Sequence, residues 1–437
     1  MTVSLFDPLS LPNGQVLPNR LAKAAMEERM ATRAQLPGKE LRTLYRRWSE
    51  GGAGLIITGN VMVHDAALTG PGGVVLDANS PLEPFTEWAR AGQAGGSRIW
   101  MQINHPGRQV MANMPGVAWA PSAVRANIGR NTKRLAEPVA MTGEQIEETI
   151  QRFITTAMLA EEAGFDGLEV HAAHGYLLSQ FLSPLSNLRT DEWGGSLDNR
   201  ARLLVEIVRG IRSAVRPSTA LAVKLNSADF QRGGFDAEDA RRVIDMLAPL
   251  GVDLVELSGG NYESPAMTGQ RGGSPSDALA GSHSGEERGR DARTRAREAY
   301  FLDLAESLAR TSPIPLMLTG GIVRRSVAEQ ALAAGIDVIG MGTALAEEPN
   351  LPNDWRSSEK VVEVTPVTFQ DKATASVATM ARVRHQLHRL GAGKSAGREI
   401  GPRYALLREL LNNAVALHRY KKWLARREPV RTEAMAR

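Results

Sequence analysis

Between residues 20 and 341 short apolar runs alternate with longer amphipathic stretches. The runs are Leu21–Met26, Ala53–Thr58, Arg98–Ile103, Gly167–Val170, Ala220–Leu225, Val252–Leu257, Ile314–Leu318 and Asp337–Met341. All have strand length, and runs such as AGLIIT (53–58) are continuously apolar, as in strands buried on both faces. The intervening stretches predict helices over Lys39–Glu50, Pro84–Ala94, Thr142–Ala163, Asp198–Val215, Asp236–Leu250, Asp291–Ala309 and Val323–Ala334. In the first of these, Leu41, Leu44, Tyr45 and Trp48 share one face. Thr142-Gly-Glu-Gln145 reads as a capping box, and Gly164 as a C-cap. Gly-Phe-Asp (164–166), Gly-Val-Asp (251–253) and Gly-Ile-Asp (335–337) each end a helix and lead into a strand.

Regular βα alternation means a parallel sheet. Eight units favour a closed (β/α)8 TIM barrel over an open doubly wound sheet. No GxGxxG follows the first strand, which argues against a dinucleotide-binding domain. Asn13-Gly14 predicts a small N-terminal hairpin. The barrel is assigned to residues 1–355 and a helical extension to 356–437. In that extension Tyr404–Arg427 is helical in pattern, with Leu407, Leu411, Ala414, Leu417 and Leu424 near one face. That face is expected to pack on the barrel or on a neighbouring subunit.

Composition narrows the classes. With 437 residues, 43% hydrophobic and 23% charged, the chain is an ordinary globular one. A net charge of +4 is small and marks solvated surface rather than a nucleic-acid face. The chain has no cysteine, which excludes disulfides, Cys-ligated zinc and Cys-held iron–sulfur clusters. The N-terminus carries no signal-peptide pattern, and no apolar run approaches the ~18 residues of a membrane span. A soluble, cytoplasmic location and no membrane or nucleic-acid partner are the expectations.

Chemistry in a barrel collects where strands end. Gly320-Gly321 after the seventh strand and Gly342-Thr343 after the eighth sit where barrels build phosphate sites, though turn glycines alone would explain them. Lys224 on the fifth strand could add charge from inside the barrel, since a lone core lysine is costly. His171-x-x-His174-x-Tyr176 follows the fourth strand. Two histidines could ligate a metal, but no third ligand is placed to complete a site, so none is expected. As hydrogen-bond donors to a substrate oxygen, beside a phenol that can deliver a proton, they suit carbonyl chemistry. Gln102 could hydrogen-bond a heterocycle, and Ala25-Met26 could floor a flat ring or simply fill the core.

The combined pattern resembles the Old Yellow Enzyme family of FMN-dependent ene-reductases. The resemblance covers residues 1–355 and is densest in HAAHGYLLSQFLSPLSNLRTDEWGGSLDNR (171–200). LPNRLAKAAM (17–26), GGAGLIITG (51–59), MQINHPGR (101–108) and LTGGI (318–322) add to it in the right order. It implies an oxidoreductase that reduces the C=C bond of an enone or enal with NADH or NADPH through bound FMN, and a homo-oligomer. Ala25, Met26, Gly59, Gln102 and Lys224 would contact the isoalloxazine or ribityl chain, and Gly320, Gly321, Gly342 and Thr343 the phosphate. His171 and His174 would hold the substrate carbonyl, and Tyr176 would donate the proton.

Three positions depart from the family. Glu27 stands where Thr or Cys is more usual and is counted with the cofactor residues; Glu27→Thr is expected to raise the flavin potential. Lys224 replaces Arg, keeping charge but losing the bidentate fork. Thr343 replaces Arg, for which Arg324 or Arg325 could compensate. Glu263–Arg290, polar and Gly/Ser-rich, reads as a lid or unstructured loop. The alternative from another class is a non-redox barrel lyase or isomerase using the same loops on a phosphorylated substrate.

Overall fold

The computed structural model describes residues 3–260, 263, 306–364, 367, 369, 372–397 and 400–427. The expected 263–290 loop, apart from Glu263, and most of the Asp291–Ala309 helix lie outside them. Eight parallel strands form the barrel: β1 (Leu21–Lys23), β2 (Leu55–Ile57), β3 (Arg98–Asn104), β4 (Gly167–Ala172), β5 (Ala220–Asn226), β6 (Leu254–Ser258), β7 (Leu316–Thr319) and β8 (Val338–Met341). β8 pairs with β1 and β3 pairs with β4, so the sheet closes. Helices α1 (Lys39–Glu50), α2 (Glu83–Gln93), α3 (Gly143–Glu162), α4 (Leu197–Ala214), α5 (Ala237–Leu247) and α6 (Arg325–Ala333) lie between strands. The capping box at Thr142 forms with both of its bonds, and the Asp236 side chain accepts from the Glu238 and Asp239 amides. β1 ends three residues earlier than its apolar run, which leaves Ala25-Met26-Glu27 in the loop that follows. Two short strands, Val61–Met62 and Val74–Val75, extend the sheet beside β3.

Alternation inside the strands sorts the side chains into two layers. Leu168, Val170, Val223, Leu225, Val255 and Leu257 face the helices and join the larger apolar core. Ala22, Leu55, Trp100, Ala222, Leu254, Met317 and Val338 fill the interior at one end, where Leu9, Leu11 and Leu17 of the N-terminal hairpin plug it. Toward the C-terminal ends of the strands the interior becomes polar. Gln102 and Glu169 are register partners, as are His171 with Lys224 and Lys224 with Glu256; Asn226 and Ser258 follow one pleat further on.

Beyond the barrel stand α7 (Lys372–Gly391) and α8 (Pro402–Leu424). α8 packs on the rim of the barrel's catalytic end, where Tyr420 donates its hydroxyl to the Asp65 carbonyl at 2.8 Å. Tyr420, Leu417, Trp423 and Leu424 cluster with Met62, Leu68 and Val110. The expected leucine face is corrected in part: Leu407 and Leu411 are 55% and 61% exposed, whereas Ala405, Glu409 and Tyr420 are buried. Polar anchors select the face of α8 that meets the barrel.

Candidate active site

β4 delivers the site. His171 is its fifth residue and faces the interior; the chain then turns sharply, with His174 at φ 61° and Gly175 at φ 72°. A left-handed histidine is strained and must be held by its surroundings. Here the His174 amide donates to Asn226 Oδ1 at 3.0 Å, and its carbonyl accepts from Gln109 Nε2 at 2.9 Å. The turn folds His174 back so that its ring meets that of His171 edge-on, 5.0 Å away. The Tyr176 ring lies 4.9 Å from His171, also edge-on, at the start of the short helix Leu177–Leu182. The three side chains form one cluster.

Both imidazoles are neutral. Burial, the neighbouring ring and the Lys224 ammonium keep His171 well below its usual range. Burial and Lys224 bring His174 down to about 3. His171 Nδ1 accepts the Ala173 amide at 3.2 Å, so its proton resides on Nε2. A neutral ring with an open N–H is a hydrogen-bond donor to an oxygen and not a standing charge.

Beneath the cluster lies a buried polar row. Lys224 Nζ donates to Glu256 Oε1 at 2.6 Å, and Gln102 Nε2 to Glu169 Oε2 at 2.6 Å. Burial and the facing Glu256 carboxylate push Glu169 well above the carboxylate range, so it is neutral. Burial opposes ionisation of Glu256 too, but Lys224 and its hydrogen bonds hold it below its ordinary value. The neutral Glu169 carboxyl and the Glu256 carboxylate hydrogen-bond each other. Sequence reasoning passed over Glu169, Glu256 and Ser258. A carboxylate inside an apolar strand run was the available signal for the first two.

The remaining residues line the same strand ends. Ala25 and Met26 are half-buried after β1. The Gly59 amide, after β2, donates to the Tyr45 hydroxyl at 2.8 Å, and a Cβ there would fall 2.0 Å from Glu28 Oε2. Glycine is required at that position by packing. Gly320 and Gly321 follow β7, and among the described residues their amides find no acceptor. Gly342 precedes the short helix Thr343–Glu347, whose first turn has no side-chain cap. Uncapped amides on two adjacent loops, a half-exposed apolar segment, and a polar Gln102–Lys224 row together fit a flat phosphorylated cofactor.

Two residues are turned elsewhere. The Glu27 carboxylate accepts from Arg29 Nε at 3.0 Å, from the Thr69 hydroxyl and faces Arg384 of α7 at 3.5 Å. Burial opposes its charge, but the two arginines hold it below the carboxylate range, so it is ionised and paired. Arg325 is bonded to Glu329 and the Trp355 carbonyl and is thereby removed from the Thr343 loop. Among the described residues no group of three or more metal-ligating side chains occurs, and no helix is long and apolar enough to cross a membrane.

The chain is similar to known proteins over most of its length. The profile of the NADH:flavin oxidoreductase / NADH oxidase family matches residues 4–359. NADH-dependent flavin oxidoreductase iliE of Neonectria sp. (strain DH2) is 34% identical over 377 residues, covering 82% of this chain and 48% of that protein. Its namesake in Hypocrea jecorina (strain QM6a) is 32% identical over 387 residues, 84% of this chain and 92% of that protein. The chain thus spans about half of the first relative and nearly all of the second. Among solved structures, 2-naphthoyl-CoA reductase is similar at a TM-score of 0.74 and 26% identity, over 89% of this chain and 58% of that one. The Old Yellow Enzyme homologue from Zymomonas mobilis, at a TM-score of 0.65 and 23% identity, covers 83% of this chain and 95% of that one and bears out the barrel. The lyase alternative falls away. The chain belongs to the NADH:flavin oxidoreductase / NADH oxidase family and is an FMN-dependent oxidoreductase.

Proposed function

We propose that the protein reduces the C=C bond of small α,β-unsaturated ketones or aldehydes at the expense of NADH or NADPH. The observation that carries this reading is the cluster itself: two neutral imidazoles 5.0 Å apart, with a phenol 4.9 Å from the first, on one strand end. The overall balance is enone plus NAD(P)H plus one proton, giving the saturated carbonyl and NAD(P)+. Bound FMN would supply the hydride chemistry that links the nicotinamide to the substrate's β-carbon.

Ala25, Met26, Gly59, Gln102 and Lys224 would hold its ring system and ribityl chain. Gly320, Gly321, Gly342 and Thr343 would hold its phosphate. His171 donates Nε2–H to the carbonyl oxygen, and His174 donates a second hydrogen bond. Both strengthen as negative charge gathers on that oxygen, which is the electrostatic part of the catalysis. Tyr176 holds its phenolic proton beside this pair and delivers it to the α-carbon. Burial excludes water from the His171 face and keeps these donors oriented before substrate arrives.

The test is spectroscopic. The purified protein is expected to be yellow, to bleach with NADH or NADPH under nitrogen, and to recolour when 2-cyclohexenone is added. Bleaching without recolouring by any simple enone or enal would contradict the substrate class.

A further inference from the structure

His174 is held at two points by the ends of neighbouring strands. Its amide meets Asn226 of β5, and its ring Nε2 lies 2.7 Å from the Ser258 hydroxyl of β6. Asn226 and Ser258 are register partners, so one row of the barrel fixes both the backbone and the ring. Ser258 is buried, and among the described residues its hydroxyl bonds only His174. The other ring nitrogen, Nδ1, bonds no described group, and the side chain is partly exposed.

We propose that Ser258 is a positioning residue: its hydroxyl donates to His174 Nε2 and so fixes the ring proton on Nδ1, the nitrogen left to meet the substrate oxygen. The proposal rests on the reading that both imidazoles donate to that oxygen. A neutral imidazole has one proton for two nitrogens. Were it on Nε2 and given to Ser258, Nδ1 would present a lone pair to the carbonyl, and two acceptors would face each other. Serine can donate or accept, and only its donation leaves His174 a donor. His171 is set the opposite way, with the Ala173 amide donating to Nδ1 and the proton left on Nε2. The paired rings are therefore held in opposite tautomers, one by a backbone amide and one by a hydroxyl. No cation is needed, which agrees with the burial that keeps His174 neutral far below neutral pH.

The tautomer is read directly by two-bond 15N–1H correlation on the FMN-loaded protein labelled at its eight histidines, with His174→Asn assigning the signal. The expected wild-type pattern is a protonated Nδ1 and an unprotonated Nε2, the less common form of free imidazole. Ser258→Ala should move the proton toward Nε2 and lower kcat/KM for 2-cyclohexenone roughly tenfold, the scale of one lost hydrogen bond. Ser258→Thr should restore both. A wild-type ring protonated at Nε2, or a tautomer unchanged in Ser258→Ala, would overturn the assignment even if enone turnover is intact. Absence of turnover by a wild type that shows the Nδ1–H form would instead overturn the enone reading.

Discussion

Two buried ionic clusters lie near one end of this barrel, and they are built differently. The interior row pairs Lys224 with Glu256 and carries a neutral Glu169 hydrogen-bonded to that carboxylate. The rim cluster joins Glu27, Arg29, Arg384 and Glu409, two acids and two arginines, with Arg384 Nη2 2.8 Å from Glu409 Oε1. The rim is charge-balanced and ties α7 and α8 to the segment after β1. The interior holds one ion pair and a neutral acid beneath His171 and His174. The rim cluster joins distant segments of the scaffold, whereas the interior row lies inside the barrel below the His171–His174 pair.

The largest effect that would separate them is on stability. Arg384→Met leaves Glu27 and Glu409 short of a cation in a buried place, which costs about 3–5 kcal/mol. Urea unfolding of the FMN-loaded protein should show that loss with an unshifted flavin potential. Glu27→Thr should behave likewise, since its carboxylate belongs to the arginines; a rise in potential would return it to the cofactor.

Acid should act through the buried neutral imidazoles. The His105 imidazole, at the end of β3, is held by burial and the charge of Arg152 at about 3, far below its unfolded value. A depressed histidine leaves stability intact above its unfolded pKa and erodes it as pH falls toward the folded one. By pH 5 one such group costs about 2 kcal/mol. Stability should thus decline between pH 6.5 and 5 in the wild type and decline less in His105→Gln. An equal decline in both would assign the acid sensitivity elsewhere.

A smaller shift is expected from Glu256→Gln. It leaves Lys224 uncompensated, which favours negative charge on a reduced cofactor, so the flavin potential should rise by roughly 30 mV, a tenfold change for a two-electron couple. No change there, with a shift in Arg384→Met, would reverse the roles given to the two clusters. The smallest effect belongs to Leu407 and Leu411, whose replacement by Ala should move stability by no more than about 0.5 kcal/mol.

The same contrast explains what the sequence disclosed. Barrel order, the strand-end glycines and His171, His174 and Tyr176 were legible because buried strands and loop chemistry leave local patterns. The interior acids were visible in principle, as single charges in apolar runs. α7 was less so, because its buried face begins with the small Ala375, Ala378 and Ala381, is interrupted by Arg384 and gains large apolar residues only at Leu387 and Leu390. In α8 the face that meets the barrel is set by Glu409 and Tyr420, while Leu407 and Leu411 face outward. Arg29, two residues on, was the one local sign of where Glu27 turns; its second arginine, Arg384, lies more than 350 positions away.

The central claim is that His171, His174 and Tyr176 form a carbonyl-anchoring, proton-donating site. Rapid-mixing measurement of the two half-reactions in Tyr176→Phe tests it most directly. Reoxidation by 2-cyclohexenone should slow by about 10²–10⁴-fold, the range of a lost general acid, while reduction by NADH or NADPH keeps its wild-type rate. Equal slowing of both half-reactions, or unchanged reoxidation, would contradict it.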